Sequence, residues 1–315
     1  MKKRLFAMLM ALILVLSVLS GCSPSGTTGE TGSGASADAP MTSQLTYSNL
    51  VDEASRKEVH DALKKAGVSE AAIDEFFAHV DEFNGLIENK SLVDGYRTID
   101  GLIPEYDIVY MIETLETKKP ESIGFNCRLT TFGLMKELVT IGEPTVTNED
   151  SLFMDLEAIR SNPVNLSDAE KTAFVSLFEH IKTQKTADVA EHVKVVKENL
   201  AAKNIQFPHA DKFSMISVYF NFDDGEDWTL FIGHIGVMLP TEDGKLLFIE
   251  KLTFQEPYQA IRFNNRTELS DYLMNRYDTD WGQPTARPFI MENGELMDGY
   301  RPNPNNNGAG EGGGN

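Results

Sequence analysis

The chain has only two cysteines among its 315 residues, and it has far fewer basic than acidic side chains. Two cysteines exclude the disulfide framework that holds many small exported domains together. With 28 basic and 48 acidic residues the net charge is −20, and a surface of that sign repels phosphate backbones, so we expect no nucleic-acid partner. The hydrophobic share of 41% and the aromatic share of 9% are those of a globular chain, which excludes a disordered or fibrous protein.

The longest apolar run lies at the N-terminus, where a basic start is followed by Leu5–Leu19. A run of that length is short for a bilayer span, so it predicts an export signal over residues 1–21. The tetrapeptide Leu19-Ser-Gly-Cys22 resembles the bacterial lipoprotein box, in which the cysteine is lipidated. The resemblance implies an exported protein of a Gram-positive cell, whose lipid on Cys22 contacts the outer face of the cytoplasmic membrane. The alternative is an ordinary secretory signal followed by a chance cysteine.

Two segments of simple composition flank the rest of the chain. Residues 22–44 are rich in Gly, Ser and Thr, and residues 303–315 are rich in Gly and Asn. Neither segment carries the apolar spacing of a helix or strand, so we interpret the first as lipid anchor and flexible linker and the second as a disordered tail. The sequence therefore predicts a single α+β domain over residues 45–302.

The spacing of apolar residues changes within this domain. It is helical up to about residue 202, whereas residues 214–254 are rich in β-branched and aromatic residues and contain Asp-Gly turns. A helical N-terminal two-thirds packed on a C-terminal antiparallel sheet is the fold that this order predicts. The expected helices cover residues 49–66 (capped by Ser48), 69–86, 104–115 (with Pro104 in the first turn), 128–142, 151–159, 167–181, 187–202 and 266–276; the expected strands cover 214–222, 228–239 and 246–254, and a hairpin covers 288–296 around Asn293-Gly294.

Cys127 is the only thiol that remains if Cys22 is lipidated, and it lies at the predicted start of a helix. Backbone N–H groups at a helix N-terminus stabilise a thiolate, and Arg128 adds positive charge beside it. This is the arrangement of an activated cysteine nucleophile. A buried structural cysteine is the alternative, because free cysteine is among the most buried residue types.

His234 and Glu250 fall on two strands that are predicted to pair. A five-residue turn would pair residue 239 with residue 245 and therefore His234 with Glu250, which would bring the imidazole and the carboxylate together on one face of the sheet. Gly233 and Gly236 flank the histidine, and glycines inside a strand often mark the close approach of another backbone or a ligand. With Cys127 as nucleophile, His234 as proton carrier and Glu250 as orienting acid, these residues predict a Cys–His–acid site.

The order of these residues resembles the papain-like cysteine peptidases, and among them the NlpC/P60-type enzymes of cell walls. The resemblance rests on a helix-start cysteine followed by His234-Ile-Gly-Val, Asp243-Gly-Lys and Ile249-Glu250. The family's Asp-Cys-Ser-Gly around the nucleophile is Asn126-Cys-Arg-Leu here. The resemblance implies a papain-like core.

An oxyanion hole is also implied by this resemblance. The backbone N–H of Cys127 would be one donor, and the side chain of Asn126 or of Tyr110 would be the other. Gln255 follows the strand that carries Glu250, so we expect it to line a pocket beside the site.

A second resemblance covers most of residues 45–300. Phe125–Phe132, Gly233–Val237 and Glu250–Gln259 are similar to an uncharacterised group of Firmicutes surface lipoproteins, the domain of unknown function family 4300. That family has no established activity, so this resemblance implies location and fold but no chemistry.

Together these patterns predict a surface-anchored lipoprotein that acts as a thiol amidase or peptidase. Cell-wall peptides lie within reach of the tether, and small peptides or acyl-amides are open as substrates as well. The alternative is a non-catalytic binding or scaffolding lipoprotein with the same fold. No metal and no cofactor is expected, because no histidine has the spacing of a zinc motif and phosphate-binding glycine loops are lacking.

Overall fold

Eight α-helices and a nine-stranded antiparallel sheet make up the part of the chain that the structure describes, which confirms the mixed α+β class. The structure is a computed structural model, and it describes residues 40–162, 166–223, 225, 227–280 and 285–306. A short 3-10 turn over Glu149–Leu152 precedes the fifth helix. The helices are α1 Glu53–Ala66, α2 Glu70–Leu86, α3 Ile108–Lys118, α4 Cys127–Met135, α5 Phe153–Ser161, α6 Asp168–Phe178, α7 Val189–Ala202 and α8 Arg266–Tyr277.

The strands come from both ends of the domain. They are β1 Gln44–Ser48, β2 Arg97–Asp100, β3 Thr140–Ile141, β4 Ile181–Thr183, β5 Ile205–Gln206, β6 Ser214–Asp223, β7 Trp228–Pro240, β8 Leu246–Lys251, β9 Tyr258–Phe263, β10 Phe289–Glu292 and β11 Glu295–Leu296. The order across the sheet is β11–β10–β6–β7–β8–β9–β1–β2, and β4 pairs with one end of β7. A separate two-stranded ladder joins β3 and β5.

Both faces of the sheet are covered, and each carries its own apolar core. On one face α1, α2, α4 and α6 contribute side chains such as Leu63, Phe83 and Phe132. On the other face α8 contributes Leu269 and Leu273, which are both fully buried. Each such side chain stabilises the fold by roughly 1.5–3 kcal/mol when it leaves water. A sheet that is buried on both sides places any polar residue on its central strands in a water-poor setting.

The N-terminal two-thirds is not purely helical, contrary to the prediction. β1 pairs with β9 and β2 pairs with β1, so the N-terminal segment extends the C-terminal sheet. β9 was not predicted either. Leu45 and Tyr47 of β1 are both buried and alternate with more exposed neighbours, which is the period-two pattern of a strand.

Several predicted helix boundaries are also wrong. Ser48 ends β1 and does not cap a helix, because Asp52 caps α1 instead. Pro104 lies outside α3, whose cap is Asp107. The helix predicted to run to residue 142 ends at Met135. In the first two cases an aspartate side chain accepts a hydrogen bond from a first-turn N–H group, and this interaction sets the helix start.

The predicted C-terminal hairpin is confirmed. Asn293 and Gly294 connect β10 to β11, and both have positive φ, at 50° and 88°. Positive φ at both central residues is what a two-residue hairpin turn of the I′ type requires, and asparagine followed by glycine adopts it readily.

Nothing in the structure tests the predicted export signal, because residues 1–39, including Cys22, lie outside the described residues. Among the helices that are described, none combines the length and the apolar character needed to cross a membrane. At the other end, Asn303 is buried and its backbone N–H donates to the Asp278 carboxylate at 2.7 Å. The first residues of the predicted tail therefore pack against the domain.

Candidate active site

Cys127 is the first residue of α4, and the residue before it sets its position. The Asn126 side chain accepts a hydrogen bond from the backbone N–H of Leu129 at 3.0 Å, which caps the helix. First-turn N–H groups have no partners inside a helix, and the helix dipole places partial positive charge there. Cys127 is only 5% exposed, so this charge acts on a sulfur that is largely shielded from water.

A buried ion pair fixes the first turn of α4. The Arg128 guanidinium donates to both carboxylate oxygens of Asp155, at 2.9 and 2.7 Å, and Asp155 is fully buried on α5. The Asn126 amide donates to the same carboxylate at 2.7 Å. Arg128 also donates to the backbone carbonyl of Ile232 at 2.9 Å. The helix start that carries the cysteine is therefore tied to both α5 and β7.

The cysteine reaches the sheet where one edge of β7 has no neighbouring strand. β8 pairs with residues 236–240 of β7 and β4 pairs with residues 228–230, which leaves residues 231–235 unpaired on that side. Side chains of α4 bond to this edge instead, through Arg128 to Ile232 and through the Thr131 hydroxyl to the carbonyl of Ile235 at 3.4 Å. The start of α4 thus lies beside His234.

His234 and Glu250 contact each other across β7 and β8, although the predicted register is wrong. Glu250 pairs with Gly236 and Leu239 pairs with Leu247, an offset of two residues from the predicted pairing. An offset of two keeps both side chains on the predicted face, because side chains alternate with a period of two. The two residues meet diagonally, with His234 Nε2 2.5 Å from Glu250 Oε2, and each is 1% exposed.

Gly233 forms a β-bulge immediately before the histidine. Val218 of β6 pairs with His234 and the next residue of β6 pairs with Ile232, so Gly233 has no residue opposite it. Bulges bend a strand and re-aim the neighbouring side chains. A Cβ atom at Gly233 would lie 2.4 Å from the Phe220 ring, so a larger residue would displace the strand at this point.

The thiol and the imidazole are arranged for charge separation. Burial lowers the pKa of His234, but hydrogen bonding to Cys127 and Glu250, together with their negative charges, raises that pKa to about 9. Burial raises the pKa of Cys127, but the hydrogen bond and charge of His234, aided by the charge of Arg128, outweigh burial and lower it. Because Nε2 faces Glu250, Nδ1 is the ring nitrogen left for the sulfur. The arrangement favours a thiolate–imidazolium pair.

Two tyrosines of α8 enclose the histidine and the acid. The Tyr272 hydroxyl donates to Glu250 Oε1 and lies 3.2 Å from the side-chain oxygen of Gln259. The Tyr277 ring stacks on the His234 imidazole, with the ring centroids 4.7 Å apart. Each oxygen of the Glu250 carboxylate therefore has its own donor, and the imidazole has little freedom to turn.

Lys251 brings a buried amine next to the site. Its ammonium lies 3.6 Å from the centroid of the Phe83 ring and donates to the backbone carbonyl of Glu256. Burial lowers the pKa of Lys251 well below its usual value, while the charges of Glu256 and Cys127 act in the opposite direction. The lysine thereby holds the loop between β8 and β9 through the carbonyl of Glu256.

The other predicted site residues differ in their surroundings. Both polar atoms of the Asn126 side chain are bonded within the protein, as is the Arg128 guanidinium. The Tyr110 hydroxyl lies 3.4 Å from the carbonyl of Ile87, which follows α2. Gln255 is half-buried in the loop after β8, and its side-chain amide has no hydrogen-bond partner among the described residues. The structure thus brings together Cys127, Arg128, His234 and Glu250, whereas the Tyr110 hydroxyl contacts the end of α2.

Sequence reasoning missed Asp155, Tyr272, Gln259 and Lys251. The first two lie on predicted helices, but apolar spacing does not tell which polar residue of a helix faces a distant strand. Gln259 lies on β9, which was not predicted. Lys251 did carry a signal, because it lies inside the predicted strand 246–254, between Glu250 and Leu252. The structure buries every residue of β8. Within the residues described, no three His, Cys, Asp or Glu side chains come close enough to hold a metal ion.

Residues 46–297 match the family described as Domain of unknown function (DUF4300), which is most of the chain. The chain belongs to that family. No curated protein and no solved structure matches the sequence.

Proposed function

We propose that this DUF4300 protein is a thiol hydrolase of amide bonds, with Cys127 as nucleophile, His234 as proton carrier and Glu250 as the group that orients His234. One arrangement carries the proposal: His234 lowers the pKa of a helix-start thiol, and Nε2 of its imidazole lies 2.5 Å from a carboxylate. A cysteine nucleophile requires these three parts in this sequence of contacts. A helix-start cysteine packed against antiparallel strands that carry the histidine and the acid supports a papain-like core.

The proposed reaction begins with the thiolate of Cys127. Its sulfur attacks the amide carbonyl carbon, a C–S bond forms, and the carbonyl electron pair moves onto oxygen. The intermediate collapses and breaks the C–N bond, and the imidazolium of His234 gives its Nδ1 proton to the departing amine. A water molecule then attacks the thioester while His234 takes its proton, and the thiolate leaves as the acid product forms. Glu250 holds the imidazole in the required orientation throughout.

The developing oxyanion needs donors close to the sulfur. We assign one to the backbone N–H of Cys127, in the first turn of α4, and the other to the side-chain amide of Gln255. A Cβ atom at Gly124 would lie 3.2 Å from the carbonyl oxygen of Phe254, so the loop that carries Gln255 abuts the segment that leads into Cys127. Asn126 is a poorer donor, because its amide already bonds Asp155.

A labelling and turnover experiment tests the proposal. In a Cys22→Ser background Cys127 is the only thiol, and we expect a thiol-directed electrophile to label the native protein faster than the denatured protein. Hydrolysis of amide-linked fluorogenic peptides, including cell-wall-type stem peptides, should be lost in Cys127→Ser and in His234→Gln. His192→Gln is the matched control, because His192 is also fully buried but bonds only Thr183 and Thr186. Equal labelling of both states, with unchanged turnover in Cys127→Ser, would remove the proposal.

The second candidate is a non-catalytic binding or scaffolding protein. The observation in its favour is the burial of the site, with Cys127 5% and His234 1% exposed. It predicts that Cys127→Ser binds cell-wall peptides as tightly as the unsubstituted chain, with no turnover by either. Calorimetry beside the hydrolysis assay separates the two functions, because only the hydrolase forms a thioester on Cys127 that mass spectrometry detects after acid quenching.

We further propose that the protein is anchored outside the cytoplasmic membrane by acyl chains on Cys22. The basic start, the apolar run and the Leu-Ser-Gly-Cys box support this location. Metabolic labelling with an alkyne fatty acid should tag the chain, and Cys22→Ser should abolish the tag and release the protein. A tag that persists in Cys22→Ser would contradict lipidation of Cys22, and it would have no bearing on the proposed reaction of Cys127.

A further inference from the structure

The Glu250 carboxylate is buried, yet each of its oxygens has a donor. His234 Nε2 contacts Oε2 at 2.5 Å, and the Tyr272 hydroxyl donates to Oε1. Tyr272 is itself fully buried, so water does not replace it readily. A buried carboxylate is costly unless hydrogen bonds satisfy both of its oxygens. The Glu250 carboxylate is therefore held by two groups, of which only His234 is part of the proposed chemistry.

The proton of Tyr272 has a second acceptor within reach. Gln259 lies opposite Glu250 on β9, and its amide nitrogen donates to the Tyr106 hydroxyl oxygen at 2.5 Å. This contact turns the Gln259 oxygen toward Tyr272, at 3.2 Å. The tyrosine hydroxyl has one proton and two candidate acceptors, and a carboxylate accepts more strongly than an amide. The Tyr272 proton is therefore directed to Glu250, and Gln259 competes for it.

We propose that Tyr272 is a positioning residue, which holds the Glu250 carboxylate aimed at His234 and so sustains the thiolate of Cys127. The inference rests on the proposed function, since it assigns a role within the same site. The coupling runs through contacts alone: the phenol stabilises the carboxylate, the carboxylate stabilises the imidazolium, and the imidazolium stabilises the thiolate. Tyr272 touches neither the sulfur nor the imidazole in this scheme.

The pH range over which the thiolate–imidazolium pair exists tests the proposal. In the full chain with Cys22→Ser, ultraviolet absorbance follows the thiolate of Cys127, with the absorbance of a Cys127→Ser chain subtracted. The NMR chemical shifts of the His234 ring follow the imidazolium. Tyr272→Phe should narrow this pH range at both of its ends, here called the two pH limbs. The thiolate should appear about one pH unit higher and the imidazolium should be lost about one pH unit lower. Each shift is roughly a tenfold change in the proton affinity of the group. Tyr219→Phe, which removes another buried hydroxyl outside these contacts, should leave both limbs unchanged.

A purely structural role for Tyr272 would lower thermal stability and leave the pH limbs where they are, and that result would overturn the proposal. Gln259→Leu gives an independent measurement, including the case in which Tyr272→Phe does not fold. It removes the competing acceptor, so the pair should persist over the same or a wider pH range. A narrower range in Gln259→Leu would also overturn the proposal. A chain that hydrolyses no amide still shows both limbs, so failure of the proposed activity is distinguishable from failure of this role.

Discussion

Replacement of Glu250 by glutamine should change how stability depends on pH. The pKa of His234 is raised from 6.5 to about 9, and a shift of that size corresponds to about 3 kcal/mol in favour of the folded state. Cys127 and Glu250 share this stabilisation. Removal of the Glu250 charge, with its shape and hydrogen-bonding capacity retained, should therefore cost about 2 kcal/mol where the imidazole is protonated.

The sign of the pH dependence follows from the direction of the shift. A group whose folded pKa lies above its unfolded pKa stabilises the folded state fully below the unfolded value, and this contribution is lost as the pH rises through the folded value. The difference between the unsubstituted chain and Glu250→Gln should thus be largest below about pH 6.5 and should decline toward zero above about pH 9.

Urea unfolding followed by circular dichroism, repeated at several pH values, measures this difference as a free energy. Glu242→Gln serves as the control, because its side chain is 88% exposed and its contact with Lys65 lies at the surface. That variant should differ little from the unsubstituted chain at any pH. If Glu250→Gln is destabilised equally at low and high pH, then Glu250 acts through packing alone, and the reasoning about the charged pair is refuted.

Three further substitutions probe the framework of the site. Gly233→Ala should lower stability by about 1–3 kcal/mol in a thermal melt, because its Cβ would lie 2.4 Å from the Phe220 ring; an unchanged melt would show that the bulge tolerates a side chain. Asp155→Ala should cost about 3–5 kcal/mol in urea unfolding, because it leaves the Arg128 guanidinium largely buried without its carboxylate, and a cost near zero would contradict this role. Lys251→Met should keep or raise the unfolding free energy but slow alkylation of the thiol; a large loss of stability would show that the buried amine is a structural requirement.

The sequence predicted the helices better than the sheet, for a physical reason. Helical spacing is a local property, so all eight described helices were anticipated, with errors only at their ends. Strand pairing depends on turns and on distant segments. β2 shows this clearly, because its four residues are half-buried or exposed and carry no apolar pattern that a sequence could reveal.

The contact between His234 and Glu250 was predicted correctly although the predicted strand register was wrong. The turn after β7 has the predicted five residues, but it begins one residue later, between the paired residues Pro240 and Leu246, so the register is shifted by two residues. A shift of one residue would have put Glu250 on the opposite face, whereas a shift of two preserved the face and moved the contact to the diagonal. The sequence could not predict the contacts of Asp155 and Tyr272 with the site, because these residues lie on helices whose orientation depends on the packing of the whole domain.

The burial of the site helps to decide whether its residues have a structural role or a catalytic role. Ionisable side chains inside a core are costly, and apolar residues of similar volume are often as stable or more stable in their place. Here Cys127, His234, Glu250 and Lys251 are all buried. Stability alone therefore does not account for them. Strongly perturbed titratable groups that share contacts are typical of functional sites, and the donors that satisfy Glu250 lower the cost of keeping such groups charged. The burial that favours a binding protein thus also provides the low-dielectric setting in which a thiolate–imidazolium pair would act most strongly, once a substrate reaches the sulfur.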